Sequence, residues 1–123
     1  MAPDKRLRDY ARLLLAAIRL FNGGAALLAP GFLARQIGVD PQANPGVLYV
    51  FRMFGIRTVL IGADLLLQDS QRRHDAVRRA PLVHASDTVA AILAARSGQI
   101  PRGGRVIVAI SALNTLLAVV ANR

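Results

Sequence analysis

Val47–Leu67, VLYVFRMFGIRTVLIGADLLL, is long enough to cross a bilayer as one helix, yet it carries Arg52, Arg57 and Asp64. A span needs about 17–25 predominantly apolar residues. A charge held at mid-bilayer costs at least ~2.5–3.5 kcal/mol, so such residues ordinarily face a bundle interior with partners. Asp64 follows Arg57 by seven positions, two turns on and nearly on the same face at about 100° per residue. This stretch therefore needs neighbouring helices that supply counter-charges, and the fold class it implies is all-α.

The rest of the chain offers those neighbours. At 123 residues and 13.2 kDa there is room for one domain. The apolar segments and their punctuation predict a four-transmembrane-helix antiparallel bundle, with helices over about 4–29, 45–68, 80–96 and 102–121. The first starts at Asp4, with Asp9 placed to pair with Arg12, and ends at Pro30-Gly31. Gly23-Gly24 within it permits close approach of another backbone or weakens the helix locally. A short amphipathic piece, Phe32–Ile37, precedes a turn-rich run in which Asn44-Pro45 reads as cap and first residue of the second helix. QRRHDAVRR is too basic for a bilayer interior, so 69–80 is expected as a loop ended by Pro81. Val106–Ala121 is apolar on all sides, which argues against the alternative of a soluble four-helix bundle.

Charge settles orientation and excludes classes of function. Fifteen Arg and one Lys against seven Asp and no Glu give net +9 and a pI near 11.7. The bases are split among apolar segments with six aromatics, so nucleic acid is not an expected partner. With four spans both termini share a side. That side and the 69–80 loop hold Lys5, Arg6, Arg8, Arg12, Arg72, Arg73, Arg78, Arg79 and Arg123; the other holds Arg35, Arg96, Arg102 and Arg105. Nine cations against four place both termini in the cytoplasm of a multi-pass cell-membrane protein. No cysteine is present, which excludes disulfides and thiolate chemistry. The N-terminus lacks a clean cleavage site, and the first helix is expected to be retained.

Antiparallel threading brings the polar residues to one depth. Arg57 and Asp87 fall near the midplane, with His84 one turn inward of Asp87 on a shared face, and Arg19 and Asn22 in the same slab. Arg57 is thus expected to meet Asp87, and His84 with Arg19 to meet Asp64. Two readings of these residues stand side by side: ion pairs that fix packing, or a site within the membrane. In the second, Asp64, Asp87, His84 and Arg57 are the candidate catalytic groups. Arg19, Asn22, Arg52 and Asn114 are then the candidate substrate contacts. Asn22 and Asn114 serve equally as interhelical hydrogen-bond links, and Tyr49 fits an interfacial aromatic belt. His84, Asp87 and Asp64 have metal-ligand chemistry, but the neighbouring arginines repel a cation, so no metal and no other cofactor is expected.

At Arg52, Gly55, Arg57 and Gly62 of RMFGIRTVLIG, followed by His84–Asp87 (HASD), the chain resembles a family of small bacterial four-helix membrane proteins of unknown function, related in style to DoxX-like proteins. The resemblance covers most of the chain, including the Gly-Gly-to-Pro end of the first helix. It implies a four-helix membrane fold and no activity. Small multidrug-resistance transporters fit poorly because they depend on a Glu, which this chain lacks. Fluoride channels fit poorly because their Thr/Ser-Phe pattern is missing.

Three functions remain open at this level. A cofactor-free acid–base enzyme (hydrolase, cyclase or isomerase) would use two differently placed carboxyls for epoxide opening, cyclisation or isomerisation of a small lipophilic molecule. Asp-Arg-Asp beside Asn is similar in chemistry to limonene-epoxide-hydrolase-like sites on an unrelated fold. A proton-coupled transporter would use the same groups as a relay, and a structural or accessory subunit would pair all of them. Partners are accordingly the membrane, a lipophilic molecule or lipid, and a second copy of the chain through the small residues Ala90, Ala91, Ala94 and Ala95.

Overall fold

The computed structural model describes residues 3–67 and 71–123, apart from the side chains of Pro3, Arg102 and Gly103, and among them every regular element is helical. In chain order these are α1 (Pro3–Leu28), α2 (Pro30–Gln36), α3 (Gly46–Asp64), α4 (Gln71–Arg96), a 3₁₀ turn (Arg102–Arg105) and α5 (Val106–Ala121). The four long helices form a ring in the order α1, α3, α4, α5. The α1–α3 seam is the most extensive and α3–α4 the slightest.

Small residues explain the tight seam. Gly55, Thr58, Gly62 and Leu65 are the buried positions of α3 and its C-cap, a 3-4-3 spacing that forms one stripe. Gly55 faces Gly23 so closely that a Cβ on it would sit 2.7 Å from both the Gly23 carbonyl oxygen and the Leu27 nitrogen. Gly62 is pressed against Ala16, Arg19 and Leu20. Two backbones in such contact gain dispersion energy that bulky side chains would forbid. Gly24, by contrast, has open space where a side chain would go. The Gly-Gly pair thus splits into one packing residue and one outward residue.

The interior is made of small side chains and the exterior of large ones. Seven of the nine buried hydrophobic residues among those described are alanines, with Leu15 and Leu65 the exceptions. Phe21, Leu28, Tyr49, Leu60, Leu82 and Leu116 all point outward, each more than half exposed. A protein folded in water usually places such residues inside.

Helix boundaries differ from expectation most in α4. Most of the stretch read as the basic loop 69–80 is its first ten residues, starting at Gln71; residues 68–70 lie outside the described set. Gln, Arg and Ala are good helix formers, and Gln71 Nε2 donates to Asp75 Oδ1 at 3.0 Å one turn on. Pro81 does not end the helix. Its missing N–H frees the Val77 carbonyl, and Asn122 Nδ2, at the end of α5, donates to that oxygen at 2.6 Å. A side chain from a neighbouring helix thereby repairs the break. The second helix is shorter than the expected 45–68 and ends at Asp64. Arg12 then donates to the Leu65 carbonyl and Arg73 to the Leu67 carbonyl at 2.9 Å, a cationic cap on a helix C-terminus. The expected amphipathic piece is α2, opened by Pro30 at its first turn.

Among the described residues two helices, Asp4–Leu28 and Gly46–Asp64, are long and apolar enough to cross a membrane, and Val106–Ala121 is apolar but shorter.

Candidate functional site

α1, α3, α4 and α5 line a half-open cavity of about 560 Å³ in the half of the bundle away from the chain termini, with α2 at its rim. Its walls are apolar: Phe51 and Phe54 from α3, Ala90 and Ala91 from α4, Ile107 and Ile110 from α5. Its polar groups are Arg19, Asn22, Asp87, Ser111 and Asn114, with Gln36 from α2. Pockets of 300–1,000 Å³ with apolar walls and a few convergent polar groups suit small molecules.

Arg19 is the centre of the polar set. It lies on the inward stripe of α1 and is 4% exposed. Its Nη1 stands 3.7 Å from Asp87 Oδ2, its Nη2 donates to Thr58 Oγ1 at 3.4 Å, and its guanidinium carbon is 5.8 Å from the Phe54 ring centroid. That places the cation within reach of the ring quadrupole. At 3.7 Å the Arg19–Asp87 contact is an ion pair without a hydrogen bond. Among the described residues Arg19 Nε, Asp87 Oδ2 and Asn114 Oδ1 are buried with no hydrogen-bond partner. Buried polar atoms are nearly always bonded, so three orphans around one cavity call for a ligand or solvent group.

His84 is fully buried, and both ring nitrogens lack a partner among the described residues. It does not line the cavity. On α4 it sits one turn from Asp87, and its backbone carbonyl accepts from Thr88 Oγ1 at 2.8 Å. Thr88 in turn meets Thr115 across the α4–α5 seam at 3.0 Å.

The structure places the sequence-predicted site residues in two groups. Arg19, Asn22, Asp87 and Asn114 line one cavity. Arg57, Arg52 and Asp64 do not. The expected Arg57–Asp87 contact is replaced by Arg19–Asp87. Arg57 is exposed on α3, two positions from Gly55 and so almost opposite the stripe that packs on α1. Arg52 is likewise exposed. Asp64, expected to meet Arg19 and His84, instead pairs with Arg72 Nε at 3.1 Å at the terminal end of the bundle. Both Arg57 and Asp64 do share a face, but it is the face turned from α1. Among the described residues no three His, Cys, Asp or Glu side chains converge on one point.

Sequence reasoning passed over Thr58, Phe54, Gln36 and Ser111. Thr58 had a readable signal, because Gly55-x-x-Thr58-x-x-x-Gly62 marks the packing stripe more directly than the charges beside it.

Compared with protein-family models, curated proteins and solved structures, the chain matches none.

Proposed function

We propose that this chain is a four-span membrane protein, with both termini cytoplasmic, whose bundle binds a small lipophilic molecule bearing one polar oxygen. The observation that carries this reading is the set of buried, unpartnered polar atoms on Arg19, Asp87 and Asn114 around an apolar-walled cavity. An accessory subunit would pair those atoms and leave no space between them. A carrier would need a path to both faces, whereas Leu15, Ala16, Leu65, Ala80 and Ala118 pack into a layer on the terminal side of the site.

Four spans are supported by the large apolar side chains on the outside and the alanine interior. In α4 the arginines lie at 72, 73, 78, 79 and 96, so Asp87 is the one acidic or basic side chain, histidine aside, between Ala80 and Ala95. With 26 residues α4 is about 39 Å long, enough to cross ~30 Å of hydrocarbon with its arginines at the two interfaces.

The chemistry assigned to the site is acid–base. Asp87 lines the cavity, and its buried Oδ2 is held by no hydrogen bond, so the carboxylate can turn to take a proton from, or return one to, a substrate atom within hydrogen-bond reach. Arg19 lies close enough to polarise a carbonyl or epoxide oxygen, or to stabilise a developing oxyanion. Asn114 and Asn22 orient the polar end of the substrate, and the phenylalanine and isoleucine walls hold its hydrocarbon part. A single carboxylate performs both proton steps, which suits isomerisation, cyclisation or epoxide opening. Asp64 has no place in this scheme.

Two experiments test the proposal. Gln99→Cys and Arg123→Cys should react with impermeant thiol reagents from opposite faces of the membrane; labelling of both from one face removes the topology. A diazirine-bearing decanol should crosslink to the Ala90, Ile107 and Ile110 peptides. Ser111→Trp, which fills the cavity, should abolish those adducts while the protein stays folded. Crosslinks confined to the outer face around Leu60 and Leu82, unchanged by Ser111→Trp, would remove the binding site.

A further inference from the structure

At the opposite end of the bundle, the N-terminal parts of α1 and α4 and the end of α5 line a second, open recess of about 490 Å³. Lys5, Arg8 and Arg12 reach it from α1, Arg73 and His74 from α4, and Asp9 is the carboxylate among its described lining residues. Val77 and Ala121 give it an apolar floor.

These cations divide by what they do. Arg12 and Arg73 are bonded to the Leu65 and Leu67 carbonyls beyond the end of α3, and Arg12 also stands 4.0 Å from Asp9. They build the rim. Lys5, Arg8 and His74 are exposed. Lys5 and Arg8 stand three positions apart on one helix, where like charges repel and weaken it. Repulsion of that kind is relieved when an anion sits between the charges. A general preference for cytoplasmic cations would scatter them along the terminal ends; here residues from segments more than sixty positions apart converge on one recess.

We propose that this recess binds a phosphate group. Arginine forks and a lysine point charge match phosphate oxygens. The floor of Val77 and Ala121 accommodates the carbon skeleton of a phosphate ester. An anionic phospholipid headgroup and a free phosphate share this chemistry. The site stands apart from the cavity around Arg19, and neither reading depends on the other.

The test uses the full chain in detergent, followed by native mass spectrometry with phosphatidylglycerol and phosphatidylcholine and by calorimetric titration with inorganic phosphate. Lys5→Gln/Arg8→Gln is compared with Arg35→Gln/Arg96→Gln, which removes equal charge at the far end. Each cation near an anionic surface is worth about fivefold in affinity, so the first variant should bind its phosphate probe roughly 25-fold more weakly. The second should stay within about twofold of wild type. Preference for phosphatidylglycerol over phosphatidylcholine, with inorganic phosphate inert, assigns the site to lipid; inorganic phosphate binding with no lipid preference assigns it to free phosphate. Either supports the proposal when Lys5→Gln/Arg8→Gln weakens the binding by about that factor. Equal binding of every phosphate probe by wild type and that variant overturns it, as does an equal loss in Arg35→Gln/Arg96→Gln. Both replaced pairs are exposed, and unchanged melting of each variant confirms that the comparison is between folded proteins.

Discussion

The α1–α3 seam and the opposite half of the bundle solve helix packing in different ways. Along the seam, Gly23 meets Gly55 with no room for a Cβ on Gly55, and Ala16 and Arg19 meet Gly62, where a Cβ would be tight. Around α4 and α5 the helices stand back from α3 and leave about 560 Å³ edged by polar groups. Both regions are rich in small residues. In the first they let backbones touch; in the second, at Ala90 and Ala91, they leave space. The difference lies in what faces them: glycine opposite glycine closes the gap, whereas alanines opposite Phe51 and Phe54 of a receding helix keep it open.

Gly55 makes the tightest contact of the seam with α1. Gly55→Leu would drive a side chain into the backbone of α1, with a loss of at least ~3 kcal/mol, the upper end of ordinary overpacking. Thermal unfolding in detergent should show it as collapse of the melting temperature. Gly24→Ala sharpens the point with the opposite sign. With nothing near its Cβ, it should gain about 0.5–1 kcal/mol from helix propensity; a loss there would mean that the two glycines are not distinguished as described.

Asp87→Asn comes next. It leaves Arg19 buried beside a neutral partner, at a cost of about 1–3 kcal/mol. That is less than for a fully buried pair, because the Asp87 side chain is 25% exposed and the contact is long. Chemical denaturation measures it. Asn122→Ala should cost about 1 kcal/mol, since it strips the Val77 carbonyl of its donor. In a Pro81→Ala background, where the helix supplies that N–H itself, the cost should shrink; an unchanged cost would show that Asn122 acts through another contact. Asp64→Asn should change stability least, by no more than about 0.5 kcal/mol, because its partner Arg72 is 70% exposed. It should also leave capture of the decanol probe unchanged.

Much of this architecture was legible in the residues. The helical segments followed from hydropathy and from Pro30-Gly31 and Asn44-Pro45, and four of the eight site candidates line one cavity. The wrong contacts share a cause. Charges were used to decide which way α3 turns, so Arg57 and Asp64 were placed inward. The small stripe Gly55, Thr58 and Gly62, which lets the backbones of α3 and α1 touch, decides the rotation instead. Polar residues with long side chains can then sit outside and reach for an interface. The start of α4 was hidden for another reason. Pro81 looks like a terminator in sequence, and its repair by Asn122 depends on a contact 45 residues away.

The central claim is that Arg19 and Asp87 form a binding site and not merely a packing pair. The most direct measurement compares Arg19→Met/Asp87→Val with wild type in two assays on the same preparation: thermal unfolding, and crosslinking of the decanol probe to the Ala90 and Ile110 peptides. With both charges removed, neither is left unpaired, so the account predicts melting close to wild type together with loss of the crosslink. A double variant that melts as wild type does and still captures the probe in the cavity would contradict it.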